Sequence, residues 1–151
     1  MITRETTGAT GREAALATKL RLVAMRLARR LRQQSSDGDV SPSMLSVLVS
    51  VEASRSLSLG ELAEIERVQP PTISRVIARL EERGLVSREA DSGDRRVARV
   101  RLTATGARFV ARSRSRKNAY LARRMRSLHP EDVRKLEDAL PVLEKLLEEQ
   151  A

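Results

Sequence analysis

The sequence predicts a mainly α-helical chain with one small β-hairpin. Apolar side chains recur at spacings of three and four residues in several segments, which is the period of an amphipathic helix. Two short runs, 85–89 and 97–102, look extended, and turn-forming residues separate them. Phe109 and Tyr120 are the only aromatic residues among 151. The core must therefore be aliphatic, which suits packed helices.

The first 40 residues predict a disordered arm followed by one amphipathic helix. Residues 1–12 are rich in Thr and Gly and have little apolar surface to bury. From 13 to 34, apolar residues recur at helical spacing: Leu16, Leu20, Val23, Leu27 and Leu31. Turn formers at 35–39 end the helix. We assign 1–12 to the arm and 13–40 to the helical segment.

Two short helices are predicted next from their N-terminal caps. Ser41 followed by Pro42 is typical of an N-cap with proline in the first turn. Ser58 and Glu61 have capping-box spacing, in which the hydroxyl and the carboxylate each accept a backbone N–H. A helix from residue 59 to about 66 follows from this second cap.

A third short helix is predicted after a break at residues 68–69. Pro70 and Pro71 can stand only in the first turn of a helix. An apolar stripe then leads to a stop at Gly84, and it consists of Ile73, Val76, Ile77 and Leu80. The second and third helices are therefore expected to be joined by a tight turn.

The rest of the chain predicts a hairpin and two further helices. The segment 90–96 forms the charged tip of the hairpin, and Thr103 caps a long helix to about Met125. The last segment keeps a 3-4-3-4 apolar spacing at Val133, Leu136, Leu140, Leu143 and Leu147. Pro141 lies inside this pattern and is expected to kink the helix or split it after Leu140.

The net charge of +9 is concentrated in one internal block. Residues 67–126 carry 17 basic and 5 acidic side chains, whereas residues 127–151 carry 3 and 7. Arginine accounts for 25 of the 29 basic residues, and its guanidinium can fork onto phosphates and guanine edges. This block favours a polyanion-binding centre, with a solvated basic face as the alternative.

Composition excludes several other classes of protein. Cysteine is absent and His129 is the single histidine, so we expect neither a transition-metal site nor a cofactor held by thiolates. We find no nucleophile–base pair and no Gly-rich phosphate loop followed by Lys, so the chain is predicted not to be an enzyme. No apolar run approaches the roughly 18 to 20 residues of a membrane span, and a cytoplasmic protein is expected. A membrane-surface helix over 104–126 is disfavoured by its few bulky apolar residues.

Helix, turn, helix and then a basic hairpin is the order of a winged helix-turn-helix module, which we place at 41–104. With the apolar stripe in the core, the other side chains of the helix that begins at Pro70 face outwards, where a recognition helix meets the major groove. These side chains are Pro71, Thr72, Ser74, Arg75 and Arg79. Thr72, Ser74 and Arg75 are the candidates for base contacts. First-turn capping is the alternative role for Thr72 and Ser74.

The hairpin tip supplies three further candidates for DNA contact. The Asp94 carboxylate can hold one neighbouring guanidinium, of Arg95 or Arg96, in a fixed direction, and a narrow A·T-rich minor groove attracts an oriented arginine. Solvation of both arginines is the alternative. The strand arginines Arg88, Arg99 and Arg101 are expected to face water or phosphates rather than bases.

These residues together resemble the MarR (multiple antibiotic resistance regulator) family of bacterial winged-helix transcription regulators. The resemblance covers nearly the whole chain and depends on five stretches in order: Leu59-Gly60-Glu61-Leu62-Ala63, Pro70-Pro71-Thr72-Ile73-Ser74-Arg75, Leu80-Glu81-Glu82-Arg83-Gly84-Leu85-Val86, Asp94-Arg95-Arg96, and Leu102-Thr103 with Gly106. The family has Asp-x-Arg at its wing tip. The resemblance therefore implies that Arg96 enters the minor groove, Asp94 steadies it and Arg95 contacts a phosphate.

The resemblance also implies a homodimer in which the N- and C-terminal helices interleave. The candidate dimerisation residues are Leu16, Leu20 and Leu27 in the 13–40 helix, and Leu136, Leu140, Leu143 and Leu147 in the linker and C-terminal helices of 105–151. A small monomer would not leave so much apolar surface uncovered. An intramolecular helix pair is the alternative. A twofold dimer predicts a pseudo-palindromic operator on double-stranded DNA, with half-sites about one turn apart.

Family membership further implies a repressor released by a small, often aromatic and anionic, effector. A pocket that includes Arg21, Met25, Met44 and Leu48 is one possibility, and ordinary positions on helix faces are the other. The lack of Cys and the single His argue against the peroxide-sensing and zinc-sensing branches of the family. The competing function is an architectural or RNA-associated basic protein that binds nucleic acid without an effector.

Overall fold

The structure is a computed structural model that describes residues 11–34 and 40–148. Its elements are α1 (Gly11–Gln33), α2 (Pro42–Ser54), β1 (Leu57–Ser58), α3 (Leu59–Ile65), α4 (Pro70–Glu82), β2 (Val86–Ala90), β3 (Ala98–Leu102), α5 (Ala104–Met125) and α6 (Pro130–Lys145). The prediction of a mainly helical chain with a small hairpin and the winged helix-turn-helix order is confirmed. The predicted arm up to residue 10 and the turn formers at 35–39 lie outside the described residues.

Helix α1 begins earlier than the sequence predicts. Gly11 and Arg12 are helical, so these two residues belong to α1 and not to the predicted arm. A helix terminus is set by weak local preferences, because its first N–H groups have no partner within the helix. Glu13 in the first turn is favourable there, since a carboxylate interacts well with the positive end of the helix dipole.

The three predicted N-terminal caps are confirmed. The Ser41 hydroxyl accepts the backbone N–H of Met44 at 3.3 Å at the start of α2. Ser58 and Glu61 form a reciprocal capping box, with distances of 3.1 Å from Glu61 N to Ser58 Oγ and 2.7 Å from Ser58 N to Glu61 Oε2. At the start of α5, Thr103 Oγ1 accepts the N–H of Gly106 at 3.0 Å. Each bond satisfies a donor that the helix itself leaves unpaired.

The sheet has three antiparallel strands in the order β1-β3-β2. The predicted hairpin is present, with Val86 opposite Leu102 at one end and Ala90 opposite Ala98 at the other. The third strand, β1, was not predicted, because two residues are too few to show an alternating pattern. Leu57 of β1 pairs with Val100, which joins the start of α3 to the hairpin.

One aliphatic core holds the winged lobe together. Its buried side chains come from α2 to α4, the sheet and the start of α5: Met44, Val47, Leu48, Val51, Leu57, Leu62, Ala63, Ile73, Ile77, Leu80, Leu85, Val86, Val100, Phe109 and Val110. The predicted stripe of α4 thus faces inwards, with Val76 half-buried at its edge. By contrast, α1 and α6 bury no side chain.

Two glycines shape the connections of this lobe. Gly84 ends α4 with a φ of +65°, a conformation that L side chains rarely adopt. Gly106 lets α5 approach the start of the hairpin, because a Cβ atom at this position would lie only 1.9 Å from the carbonyl oxygen of Leu85. The first turn of α5 is thereby packed against the chain between α4 and β2.

Helix α6 continues through Pro141 without interruption, so the predicted split after Leu140 is wrong. A proline inside a helix removes one backbone donor, and the acceptor left without a partner here is the carbonyl of Glu137. Both residues are exposed, so water can reach this carbonyl.

Candidate nucleic-acid interface

The exposed face of α4 carries most of the side chains predicted to contact DNA. Pro71, Thr72, Arg75 and Arg79 are exposed, while Ile73, Ile77 and Leu80 on the opposite side are buried. Ser74 is half-buried. A helix with a polar, cationic face turned to solvent and an apolar face fixed in the core has the form of a recognition helix.

A groove separates the first turn of α4 from the start of α2. It has a volume of about 290 Å³ and is lined by Ser41, Ser43, Met44, Thr72, Arg75, Val76 and Arg79. The groove brings three predicted residues together with two serines that sequence reasoning missed, because Ser41 was interpreted only as a cap. Two guanidiniums and three hydroxyl groups around one groove provide donors for an anionic ligand.

The turn between α3 and α4 is tied to α2 by Glu66. Its carboxylate accepts hydrogen bonds from the hydroxyls of Ser46 at 2.8 Å and Ser50 at 2.6 Å, both of which lie on α2. The next residue, Arg67, has a φ of +53°, which turns the chain sharply towards α4. These contacts fix the angle at which α4 leaves the turn.

The loop that joins β2 to β3, residues 91–97, is called the wing loop below, and Asp94 shapes its tip. The N–H of Val97 donates to the Asp94 carbonyl at 2.9 Å, which places Arg95 and Arg96 in the centre of a tight turn. Asp94 Oδ1 accepts the backbone N–H of Arg96 at 3.0 Å, and the Arg96 Nε lies 3.9 Å away from the same oxygen. Asp94 therefore holds the Arg96 backbone closely and its 95% exposed side chain only loosely.

The base of the wing loop is organised by Asp91. Its Oδ1 accepts the N–H groups of Gly93 at 2.8 Å and Asp94 at 3.1 Å, while its Oδ2 lies 2.6 Å from Arg99 Nε. The hydrogen bond from the Arg99 side chain, followed by those from the two backbone amides, lowers the pKa of Asp91 to about 2. Asp91 is therefore ionised at any pH at which the protein would act.

The Arg99 guanidinium bridges the wing loop to α3. Its Nη1 lies 2.8 Å from Glu61 Oε2, the same oxygen that caps α3 by accepting Ser58 N–H. The pKa of the Glu61 carboxyl is lowered, first by the Ser58 hydrogen bonds and then by Arg99. The hydrogen bond to Asp91 and the charge of Glu61 raise the pKa of Arg99.

The other strand arginines are also paired with carboxylates. Arg88 Nε lies 3.1 Å from Glu81 Oε2 on α4, and Arg101 Nε lies 3.2 Å from Glu89 Oε2 on β2. The expectation that Arg88, Arg99 and Arg101 face water or phosphates rather than bases stays a prediction, since each guanidinium has a carboxylate partner and its side chain remains between 31% and 50% exposed. Sequence spacing could not show these pairs, because each partner is brought close by the turns of the fold.

Carboxylate pairing separates the arginines of the hairpin strands from those of α4 within residues 11–34 and 40–148. Arg88, Arg99, Arg101 and Arg114 have carboxylate partners, the last with Glu52 of α2. No acidic side chain of the described residues pairs with Arg75, Arg79 or Arg95. Arg75 has only a hydrogen bond from its Nε to the Pro71 carbonyl at 3.3 Å. On α4 and at the tip of the wing loop, the unpaired guanidiniums are thus those of Arg75, Arg79 and Arg95, and Arg55, Arg67, Arg83 and Arg108 elsewhere in the winged lobe also form no ion pair among the described residues.

The residues suggested for an effector pocket do not line one cavity. Met44 and Leu48 are buried in the core, whereas Met25 on α1 is 59% exposed. Arg21 and Met25 instead line a shallow surface groove formed by α1 alone, with Leu22, Arg26, Ala28, Arg29 and Arg32. Within the described residues, Met44 and Leu48 thus belong to the core, and Arg21 and Met25 belong to the surface of α1.

The leucines predicted to form a dimer interface are largely exposed. Leu16, Leu27, Leu136, Leu140 and Leu147 are between 44% and 84% exposed, Leu143 is 36% exposed, and Leu20 is half-buried. Each helix therefore presents an apolar stripe that the rest of the described chain does not cover.

Membrane-spanning helices and metal-binding clusters are absent from the part of the chain that the structure describes. None of its helices is long and apolar enough to cross a membrane. Likewise, these residues include no group of three His, Asp or Glu side chains arranged to hold a metal ion.

Comparisons with known proteins identify the family. The sequence model of the MarR family matches residues 40–98. The chain is 36% identical over 137 residues to an uncharacterized HTH-type transcriptional regulator of Mycobacterium leprae, covering 91% of this chain and 96% of the relative. It is also 37% identical over 67 residues to the HTH-type transcriptional repressor MdtR of Bacillus subtilis, covering 44% of this chain and 43% of MdtR.

A solved structure agrees with these relatives. The crystal structure of a putative transcriptional regulator from Pseudomonas aeruginosa superposes with a TM-score of 0.85 and 28% identity, covering 94% of this chain and 100% of that one. These relatives are regulators and not enzymes, in agreement with the prediction that the chain has no catalytic site. The chain belongs to the MarR family of winged helix-turn-helix transcriptional regulators.

Proposed function

We propose that this regulator is a homodimer that binds a pseudo-palindromic operator in double-stranded DNA and represses transcription until a small ligand releases it. The observation that carries the proposal is the placement of the arginines without acidic partners. Arg75, Arg79 and Arg95 lie on the exposed face of α4 and at the wing tip without ion pairs, while the hairpin-strand arginines Arg88, Arg99 and Arg101 are paired with carboxylates.

Helix α4 supplies the contacts to the major groove in this proposal. Thr72 and Arg75 face the open groove near the helix N-terminus, where side chains of a recognition helix meet base edges. Arg79, one turn further on, and Pro71 lie at the edge of this surface. Ser74 is half-buried, so we rank its base contact below those of Thr72 and Arg75. Arginine can discriminate guanine by two parallel hydrogen bonds.

The wing loop supplies the contact to the minor groove. Asp94 fixes the backbone at Arg96 and leaves its guanidinium free to project, which suits insertion into a narrow, electronegative A·T-rich groove. Arg95, beside it in the same turn, is placed to contact a phosphate. The base-specific and phosphate contacts are thus assigned to neighbouring residues of one turn.

The second copy is proposed from the uncovered faces of α1 and α6. Both helices carry apolar stripes, and their charges are complementary: α1 has seven basic and one acidic side chain, and α6 has three basic and five acidic. Burial of the leucines of both stripes would favour association by about 25 cal/mol of free energy per Å² of apolar surface removed from water. A twofold axis through this interface places two α4 helices on successive major grooves.

Repression and ligand release complete the proposal. The region matched to the repressor MdtR of Bacillus subtilis supports repression. The shallow groove of α1 that Arg21 and Met25 line is the proposed place for a small aromatic anion, since its arginines can pair with a negative charge. We propose the bacterial cytoplasm as the location of this activity, because the proposed partner is DNA.

One experiment tests the proposal directly. The purified chain, with its mass in solution determined by light scattering, is equilibrated with random DNA duplexes, and the bound fraction is sequenced. We expect a dimer that enriches a pseudo-palindrome and binds it about 10³-fold or more tightly than unrelated DNA. The double variant Arg75→Ala/Arg79→Ala should fail to enrich it. Salt-sensitive binding with no enriched sequence would instead indicate the architectural protein.

A further inference from the structure

A continuous set of hydrogen bonds connects helix α3 to the tip of the wing loop. It begins at Glu61, whose carboxylate caps α3 and lies 2.8 Å from Arg99 Nη1. Arg99 Nε then lies 2.6 Å from Asp91 Oδ2. The other oxygen of Asp91 accepts the N–H of Asp94 at 3.1 Å, and the Asp94 carboxylate accepts the N–H of Arg96 at 3.0 Å. We call this set the α3–wing relay.

We propose that Arg99 is a positioning residue for DNA binding, which holds the wing loop, and with it Arg95 and Arg96, at a fixed place relative to α3 and α4. The proposal rests on the proposed function, because it assigns how the minor-groove contact is oriented. We assign Arg99 itself no contact with DNA, because its Nη1 is bonded to Glu61 and its Nε is bonded to Asp91.

The chemistry of the relay suits this role. A guanidinium is planar and presents donors in a rigid fork, so two carboxylates bonded to it are fixed in direction as well as in distance. One of them belongs to a helix whose inner side is buried in the core at Leu62 and Ala63. The other belongs to the loop. Arg99 thereby fixes the position of the wing loop relative to the rigid lobe that carries α4.

The position of Arg99 in the sheet strengthens the connection between the wing loop and α3. Arg99 lies in β3, the central strand, opposite Ser58 of β1 and Glu89 of β2. Without the relay, the wing loop would be joined to the lobe only through the ends of β2 and β3, and hairpin loops are among the most mobile segments of a fold. A minor-groove arginine on a mobile loop binds with a larger loss of conformational entropy.

The first test is a binding cycle on the duplex that the parent protein selects from a random pool. Arg99→Met should lower affinity about tenfold, which is the size expected when one specific contact is lost. In a background that already carries Arg95→Ala and Arg96→Ala, the same change should lower affinity by less than about twofold, because residues that act as one unit are not additive. An equal loss in both backgrounds would mean that Arg99 contacts DNA itself and would overturn the proposal.

Arg101→Met is the matched control for this cycle. It removes the same charge from the same strand, and its partner Glu89 has no link to the wing loop in the relay. We expect less than about twofold loss of affinity in either background. A loss as large as that of Arg99→Met would attribute both effects to net charge and would overturn the positioning role.

The second test needs no DNA, so it separates failure of this proposal from failure of the proposed function. Amide hydrogen exchange of the free protein should be faster at Gly93, Asp94 and Arg96 in Arg99→Met and unchanged in Arg101→Met. Asp91→Asn, which keeps the side-chain shape, should give the same acceleration if Arg99→Met folds poorly. Parent-like exchange in a folded Asp91→Asn or Arg99→Met variant would show that the relay does not hold the loop.

Discussion

Arg99 and Asp91 face each other across the base of the wing loop, with 2.6 Å between Arg99 Nε and Asp91 Oδ2. Asp91 also accepts two backbone N–H groups of the loop, so its ionised form holds the loop from both oxygens. The same arginine reaches Glu61 on α3, and the loop arginines are therefore connected to the lobe that presents α4.

This geometry predicts how the wing loop responds to acid. The pKa of Asp91 is about 2 in the folded protein, below its ordinary value of 3.8. The stabilisation from ionised Asp91 is therefore complete above pH 3.8 and is lost as the pH falls through about 2. A carboxyl-carbon NMR titration should show a midpoint near 2, and Arg99→Met should move it upwards. A midpoint near 3.8 in the parent protein would contradict the pairing.

A second prediction concerns the close packing at Gly106. Gly106→Ala places a Cβ atom 1.9 Å from the Leu85 carbonyl oxygen, so α5 or the chain before β2 must shift. We expect a loss of about 1–3 kcal/mol in the free energy of unfolding, the usual cost of overpacking. Denaturant unfolding followed by circular dichroism measures it.

Gly60→Ala provides the control for that substitution. A Cβ atom at Gly60 would meet only the Ser58 hydroxyl, at 3.9 Å. Replacing a helical glycine with alanine in open space should stabilise the protein by about 0.5–1 kcal/mol. Equal effects of the two substitutions would show that α5 does not approach Leu85 as described.

The wing tip gives a third prediction. Arg96→Ala should weaken binding to the selected operator and relax the preference for A·T at its outer positions. Arg95→Ala should weaken binding to all sequences alike and lower the slope of log affinity against log salt by about 1. Fluorescence anisotropy over a range of salt concentrations separates the two. If both variants bind DNA as tightly as the parent protein does, the wing loop does not contact DNA.

The fourth prediction concerns the second copy of the chain. Leu140→Glu places a charge in the apolar stripe of α6, where Leu140 is 57% exposed in the single chain. We expect the dimer to dissociate and most operator affinity to be lost, because a twofold operator needs both recognition helices. Light scattering measures the mass. Lys145→Glu, on the opposite side of α6, should leave the dimer intact, and an unchanged mass for Leu140→Glu would refute the interface.

Much of the fold could be predicted from the sequence because its helix starts have local signals. Ser41, Ser58 and Thr103 each cap a helix within three residues of themselves. Strand β1 could not be predicted, since its two residues are defined only by pairing with β3. The sequence also left open whether Pro141 kinks or splits α6, and the helix is not split because one lost donor at an exposed proline does not end a helix that is otherwise satisfied.

The candidate site was only partly predictable for the same reason. The outward residues of α4 follow from helix periodicity around Ile73 and Ile77, and Asp94 lies beside the arginine that it contacts. The pairing of Arg99 with Glu61 joins residues 38 positions apart and depends on the register of β1 against β3. Nothing in the spacing of charges distinguishes Arg99 from Arg95 until that register is known.

In the proposed dimer, the stability of α1 and α6 depends on protein concentration, because neither helix buries a side chain within its own chain. A helix that its own chain does not cover gains its packing energy only when a second copy is bound, so mass action sets how much of it is retained. The melting temperature should then rise with protein concentration. At low concentration the proposed dimer would therefore dissociate into chains with an intact winged lobe and uncovered outer helices.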